Sequence, residues 1–141
     1  MDEVDIFTVQ FIEEKKFDFV SRIGARSEKL ELFMLLDVNT EVYPVKEGDK
    51  FSVLITVTLN LDGSAETGYY NPNKQASVAD DYEYVMQGKL YKIEEVGEGA
   101  HEKVEVLISF GGLLLSLKGQ PSYFTKFELD QRYFICMRKL V

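Results

Sequence analysis

An all-β domain, an antiparallel sandwich or a small barrel of short strands, is the fold the sequence predicts, and three observations predict it. Large apolar residues recur at every second position through several segments, and the period is two rather than the 3.6 of an amphipathic helix. Glycine, asparagine and aspartate turn signals separate those segments. One pair of glycines has the spacing of a two-residue hairpin turn.

Taken in order, Ile6 to Ile12 and Phe17 to Ile23 read as short strands. Leu30, Leu32, Met34, Leu36 and Val38 line one face of the next, with Glu31 and Asp37 opposite and Asn39 at its end. Thr40 to Val45 reads as a further short strand. The clearest segment is Phe51 to Leu61, where Phe51, Val53, Ile55, Val57, Leu59 and Leu61 alternate with mostly polar residues until Asp62-Gly63 ends it. Residues 62–81 carry Gly63, Ser64, Gly68, Asn71, Pro72, Asn73 and Ser77 without apolar periodicity. A stretch of that length inside a compact domain is functional or disordered, and a flexible loop is the expectation.

Tyr82 to Ile93 is a strand whose large residues change phase at Gly88: Tyr82, Tyr84 and Met86 are even, Tyr91 and Ile93 odd. A bulge or sharp bend is expected at that glycine, of the kind that closes barrels. Val104, Val106, Ile108 and Phe110 alternate with Lys103, Glu105 and Ser109, and Gly111-Gly112 then turns the chain into Leu113 to Leu117. Tyr133 to Lys139 is the last strand.

The whole is one domain, residues 1–141. A chain of 141 residues buries roughly two thirds of the surface its unfolded form exposes, enough for a single core. It has 16 Lys and Arg against 24 Asp and Glu, a formal charge of −8, which argues against generic duplex binding driven by phosphate neutralisation. Hydrophobic residues make up 45% and aromatic residues 13%, too many for an acidic disordered tail. One cysteine, Cys136, and one histidine, His101, supply neither an internal disulfide nor a four-ligand zinc site. The first ten residues carry Asp2, Glu3 and Asp5 in place of a basic signal-peptide start, and no run approaches the ~20 apolar residues of a membrane span. A soluble intracellular protein is the expectation.

Catalytic constellations are missing from the sequence. His101 sits in a turn between Gly99-Ala100 and Glu102-Lys103, and Cys136 alternates within a strand as a small hydrophobe. Asp80, Asp81 and Glu83 lack the spacing of a calcium loop and read as a solvated acidic edge. Gly97 and Gly99 lack the Lys-Ser/Thr ending and the following helix of a phosphate loop. No catalytic residue, metal, cofactor or small-molecule substrate is expected. For single-stranded nucleic acid the best cluster is Lys89, Tyr91 and Lys92, with Arg132 and Tyr133 second, since such binding joins cations to aromatic stacking platforms. The opposing reading packs the tyrosines inward and leaves the lysines solvated. The run from Gly111 to Leu117 is more apolar than a solvated hairpin needs, and two readings are open: part of it, Gly111, Gly112, Leu113, Leu114 and Leu115, is a partner-binding patch, or Leu113 to Leu117 is a buried central strand.

Nearly the whole chain resembles one family. Lys16-Phe17-Asp18 with Val20-Ser21-Arg22, Leu36-Asp37-Val38-Asn39, Val42-Tyr43-Pro44-Val45 and Gly48-Asp49-Lys50-Phe51 match in order, as do Tyr70-Asn71-Pro72 and Tyr82-Glu83-Tyr84-Val85-Met86. Gly88-Lys89-Leu90-Tyr91-Lys92-Ile93, Ser109-Phe110-Gly111-Gly112-Leu113-Leu114 and Phe127-Glu128-Leu129-Asp130-Gln131-Arg132 follow. The chain is similar to the eighth common subunit of eukaryotic nuclear RNA polymerases I, II and III. It departs from the family pattern at Leu115, where methionine is usual and the swap conserves volume, and at Gln120, where an aspartate is usual.

The resemblance implies an all-β antiparallel barrel related to the oligonucleotide-binding fold, with the 62–81 loop flexible. It also implies a non-catalytic nuclear subunit, present in the nucleolus too, docked mainly on the largest polymerase subunit beside other subunits. Contact with nucleic acid is then weak or indirect and contact with membranes absent. A free-standing single-strand-binding barrel is the alternative function, and fold alone does not decide between them.

Overall fold

The computed structural model describes residues 4–14, 19–60 and 78–140. Eight strands among them, β1 (Val4–Glu14), β2 (Val20–Ser27), β3 (Phe33–Asn39), β4 (Lys50–Thr56), β5 (Tyr84–Val96), β6 (Lys103–Phe110), β7 (Leu113–Gly119) and β8 (Arg132–Leu140), form a closed barrel. The order around it is β1-β2-β3-β7-β6-β5-β8-β4, every neighbouring pair is antiparallel, and β4 returns to β1. Leu54 pairs with Val4 on one side and Cys136 on the other, so β4 has no free edge there and the sandwich alternative falls. The described residues contain three short 3-10 turns and no α-helix, hence no helix able to cross a membrane.

Alternation builds the interior. Phe7 and Val9, Ile23 and Ala25, Met34, Leu36 and Val38, Val106 and Ile108, and Leu115 and Leu117 point inward from successive strands. Fully burying side chains the size of Leu36 or Ile108 contributes roughly 1.5–3 kcal/mol apiece. One end is tied by a buried carboxylate: Asp5 accepts from the backbone N–H groups of Lys29 (3.0 Å) and Leu30 (2.9 Å), fixing the β2–β3 turn on β1.

Four local expectations change. Thr40 to Val45 is a turn running into irregular chain, because the Asn39 side chain accepts from the Glu41 and Val42 N–H groups (3.1 and 3.3 Å) and competes with strand pairing. The segment expected over Phe51 to Leu61 stops pairing at Thr56, whose hydroxyl exchanges hydrogen bonds with the backbone of Thr58, so Val57 is exposed instead of core, and Leu61 lies outside the described residues. Both faces of β4 are buried. The bulge in β5 lies at Tyr91, between the pairs Leu90 with Ile108 and Lys92 with Leu107. Gly88 answers a different need. A Cβ there would run into the Ser109 carbonyl and the Phe110 ring, just where β5 changes partner from β8 to β6 at Lys89.

The Gly111-Gly112 turn stands as read: both residues have positive φ (61° and 100°) and Phe110 pairs with Leu113 across it. Of the 62–81 loop, residues 62–77 lie outside the described residues, and Val78–Asp81 form a 3-10 turn.

Candidate partner-binding face

Strand alternation divides the hairpin run that the sequence singled out. Leu115 is fully buried in the core opposite Ile108, and Leu113, opposite Phe110, packs partly buried against the same core. A partner cannot touch Leu115 while the barrel is folded, which corrects its reading as a contact. Gly111 and Gly112 are exposed, and Leu114 lies half-buried on the outer surface. The turn and Leu114 are what the run offers to a partner.

Around Leu114 the outer faces of neighbouring strands bring together residues distant in sequence. Across one row Phe11 pairs with Gly24, Gly24 with Leu35, Leu35 with Ser116, and Ser116 with Leu107. Arg26, Phe33 and Lys118 form the row beside it. Phe11, Phe33, Leu35, Leu107 and Leu114 are all half-buried or exposed, while their strand neighbours Met34, Leu36, Val106, Ile108 and Leu115 fill the interior. The rings of Phe11 and Phe33 lie 6.3 Å apart, with the Arg26 guanidinium 5.1 Å from the Phe33 ring centroid. The result is an exterior apolar strip built from side chains of four strands, β1, β3, β7 and β6, that crosses β2 at Gly24.

Asp37 holds this strip together. Its carboxylate accepts from Arg22 Nε on β2 (2.9 Å) and from the Leu114 N–H on β7 (3.0 Å), linking three strands at the point where Leu114 turns outward. A buried carboxylate held by a guanidinium and a backbone donor keeps its charge satisfied.

The other candidate cluster lies on β5. Lys89, Tyr91 and Lys92 are all exposed, and the bulge at Tyr91 turns its ring outward. Each lysine faces a carboxylate: Lys89 lies 3.7 Å from Asp130, and Lys92 lies 3.1 Å from Glu94. The positive charge a phosphate would meet is partly offset. Tyr133, in the second cluster, is buried, and its hydroxyl accepts from the Glu128 N–H at 3.0 Å, so it is a core residue and no stacking platform.

Groups weighed for chemistry find structural places. Glu83 accepts from the Tyr43 hydroxyl (2.8 Å) and the Lys139 N–H (2.9 Å), which hold its carboxyl below the usual carboxylate range. Burial raises the Cys136 thiol to about 11. Among the described residues no group of His, Cys, Asp and Glu side chains converges as metal ligands would.

The strip was partly visible in the sequence. Phe33 and Leu35 interrupt the polar side of a segment whose other outward residues are Glu31 and Asp37, and Leu107 breaks the series Lys103, Glu105, Ser109. An apolar residue in the solvent phase of a strand was the signal. Phe11 gave none, because the register shift between Val9 and Phe11 decides its side.

Known proteins match nearly the whole chain. The family model described as RNA polymerase Rpb8 matches residues 4–139. An Arabidopsis thaliana protein named DNA-directed RNA polymerases II, IV and V subunit 8B is 55% identical over 138 residues, covering 96% of this chain and 94% of its own. A Dictyostelium discoideum protein named as a subunit of DNA-directed RNA polymerases I, II, and III is 42% identical, with coverage of 96% and 94%. Its Saccharomyces cerevisiae counterpart, also named for polymerases I, II, and III, is 36% identical, with 95% of each chain covered. The match spans β1 to β8 without interruption of the barrel, and the chain belongs to the RNA polymerase Rpb8 family.

Proposed function

We propose that this chain is a non-catalytic structural subunit shared by DNA-directed RNA polymerases I, II and III, docked on the largest subunit through the exterior of β1, β2, β3, β7 and β6. The observation that carries the reading is the strip of Phe11, Phe33, Leu35, Leu107 and Leu114, outward-facing apolar side chains on a barrel whose own core is already filled. Family membership supports the assembly. The Dictyostelium and yeast relatives are named for polymerases I, II and III and the Arabidopsis relative for II, IV and V, so sharing among polymerases is common to all three. The subunit works in the nucleus, and service to polymerase I takes it to the nucleolus.

Co-purification tests it. A tagged chain is expected to bring down the largest polymerase subunit from nuclear extract, and Leu107→Asp with Leu114→Asp to lose it while remaining folded. Recovery of the tagged wild-type chain without large polymerase subunits would overturn the proposal.

A second reading, weak sequence-independent binding of single-stranded nucleic acid, rests on the exposure of Lys89, Tyr91 and Lys92 along one strand. It requires salt-sensitive affinity for an oligonucleotide that is lost when the three are changed together. The charge of −8 and the carboxylates beside both lysines weigh against it.

A further inference from the structure

One concave region stands beside the apolar strip and has no part in the barrel's own chemistry. A cleft of about 830 Å³ opens between the β2–β3 turn and the β5–β6 loop. Arg26, Lys103 and Lys118 reach it from three strands, His101 stands on its rim, Phe33 contributes an aromatic wall, and Glu31 is the one carboxylate in the lining. The three cations exceed that single anion in a chain whose total is −8. Among the described residues none of the three forms an ion pair, whereas Arg22, Lys50, Lys89, Lys92 and Lys139 each have a carboxylate partner. Unpaired cations converging on a ligand-sized hollow are the arrangement that binds an anion.

We infer that this cleft receives a short acidic peptide segment of a neighbouring polymerase subunit, its carboxylates meeting Arg26, Lys103 and Lys118 and an apolar side chain resting on Phe33. This deepens the docking proposed above and rests on it. Phe33 belongs to both the cleft and the apolar strip, so one partner segment can pass from one to the other. A peptide fits better than a polynucleotide because the positive region ends abruptly. Glu95 at the end of β5 and Glu98 and Glu102 on the β5–β6 loop flank it, and Glu105 pairs in register with Lys118 on the neighbouring strand. A polyanion leaving the cleft would run along those carboxylates; a segment with a few acidic residues stops short of them.

The test uses the purified full chain and three probes at low salt: a fluorescent six-residue peptide with four carboxylate side chains and one phenylalanine, the same peptide with amides for carboxylates, and a twelve-nucleotide oligothymidylate. The acidic peptide is expected to bind and to perturb backbone amide resonances around Arg26, Phe33, Lys103 and Lys118. Arg26→Gln with Lys118→Gln should weaken it by about tenfold or more, and Lys46→Gln with Lys126→Gln, the same charge change elsewhere, should leave it within about twofold. Lys118→Gln alone serves if the double variant does not fold. No binding, equal binding of the amide peptide, equal loss in the control variant, or tighter binding of the oligothymidylate at the cleft would each overturn the inference. Failure of the wild-type chain to co-purify with polymerase strikes the docking proposal instead, and retention of co-purification by Arg26→Gln with Lys118→Gln strikes only this one.

Discussion

The ring of Phe11 lies against the bare α-carbon of Gly24, its direct partner across the β1–β2 pair. A Cβ at Gly24 would overlap the ring, so glycine is what lets an aromatic side chain lie flat on the outside of the barrel. Gly24→Ala is expected to cost about 1–3 kcal/mol as an overpacking change, and much less in a Phe11→Ala background. Urea unfolding of the four variants measures the coupling; equal costs in both backgrounds would mean that the ring is not the obstacle.

Gly88 meets backbone where Gly24 meets a side chain. The Ser109 carbonyl cannot swing aside, so Gly88→Ala should destabilise by more than Gly24→Ala, about 3 kcal/mol or beyond, with no single side-chain deletion restoring it. Chemical denaturation compares the two directly.

Leu114 and Leu115 are adjacent in sequence and opposite in role. Leu115→Ala opens a cavity in the core and should cost about 2–5 kcal/mol, whereas Leu114→Ala should cost about 1 kcal/mol or less. Co-purification with polymerase is expected to order them the other way, with folded Leu114→Asp the more defective. A Leu114→Asp chain recovered in full-strength complexes would remove Leu114 from the docking face.

Two hydrogen-bonded groups set limits on stability at low and high pH. The Lys139 N–H and the Tyr43 hydroxyl lower the Glu83 pKa, so its contribution is present above the usual 4.5 and is lost as pH falls through the lowered folded value. Glu83→Gln should therefore flatten the acid limb of a stability profile. Burial raises the Tyr43 hydroxyl well above 10, with the hydrogen bond to Glu83 and its charge adding to the effect. That contribution is complete below 10 and declines as pH rises beyond it, and Tyr43→Phe should make the alkaline decline shallower. Denaturant midpoints across the pH range read both limbs.

Cys136 is fully buried and its thiol is raised to about 11. At pH 8 only about one thiol in a thousand is thiolate, so a disulfide reagent should fail to label the native protein and label it fully in denaturant. Rapid native labelling would contradict the burial of β8 in the barrel wall.

Local chemistry carried a good part of the structure. Alternation in Leu30 to Val38, Phe51 to Ile55 and Val104 to Phe110 identified inward faces, and two consecutive glycines at 111 and 112 fixed a hairpin turn, because side-chain period and positive φ are properties of the chain itself. The same patterns misplaced Thr40 to Val45 and the bulge of β5. Hydrogen bonds accepted by the Asn39 side chain and the register shift between Leu90 and Lys92 decided those, and neither has a periodic signature.

The acidic composition, the all-β alternation and the family resemblance were thus properties of the sequence alone. Only the closed barrel decided that Leu115 faces the core while Leu114 faces out, and that Phe11, Leu35 and Leu107 share one exterior strip. It also gathered Arg26, Lys103 and Lys118, spread over more than ninety residues, around one cleft. The physical reason is register: periodicity tells which side of a strand a residue occupies, but only the pairing of eight strands tells which residues from different strands become neighbours.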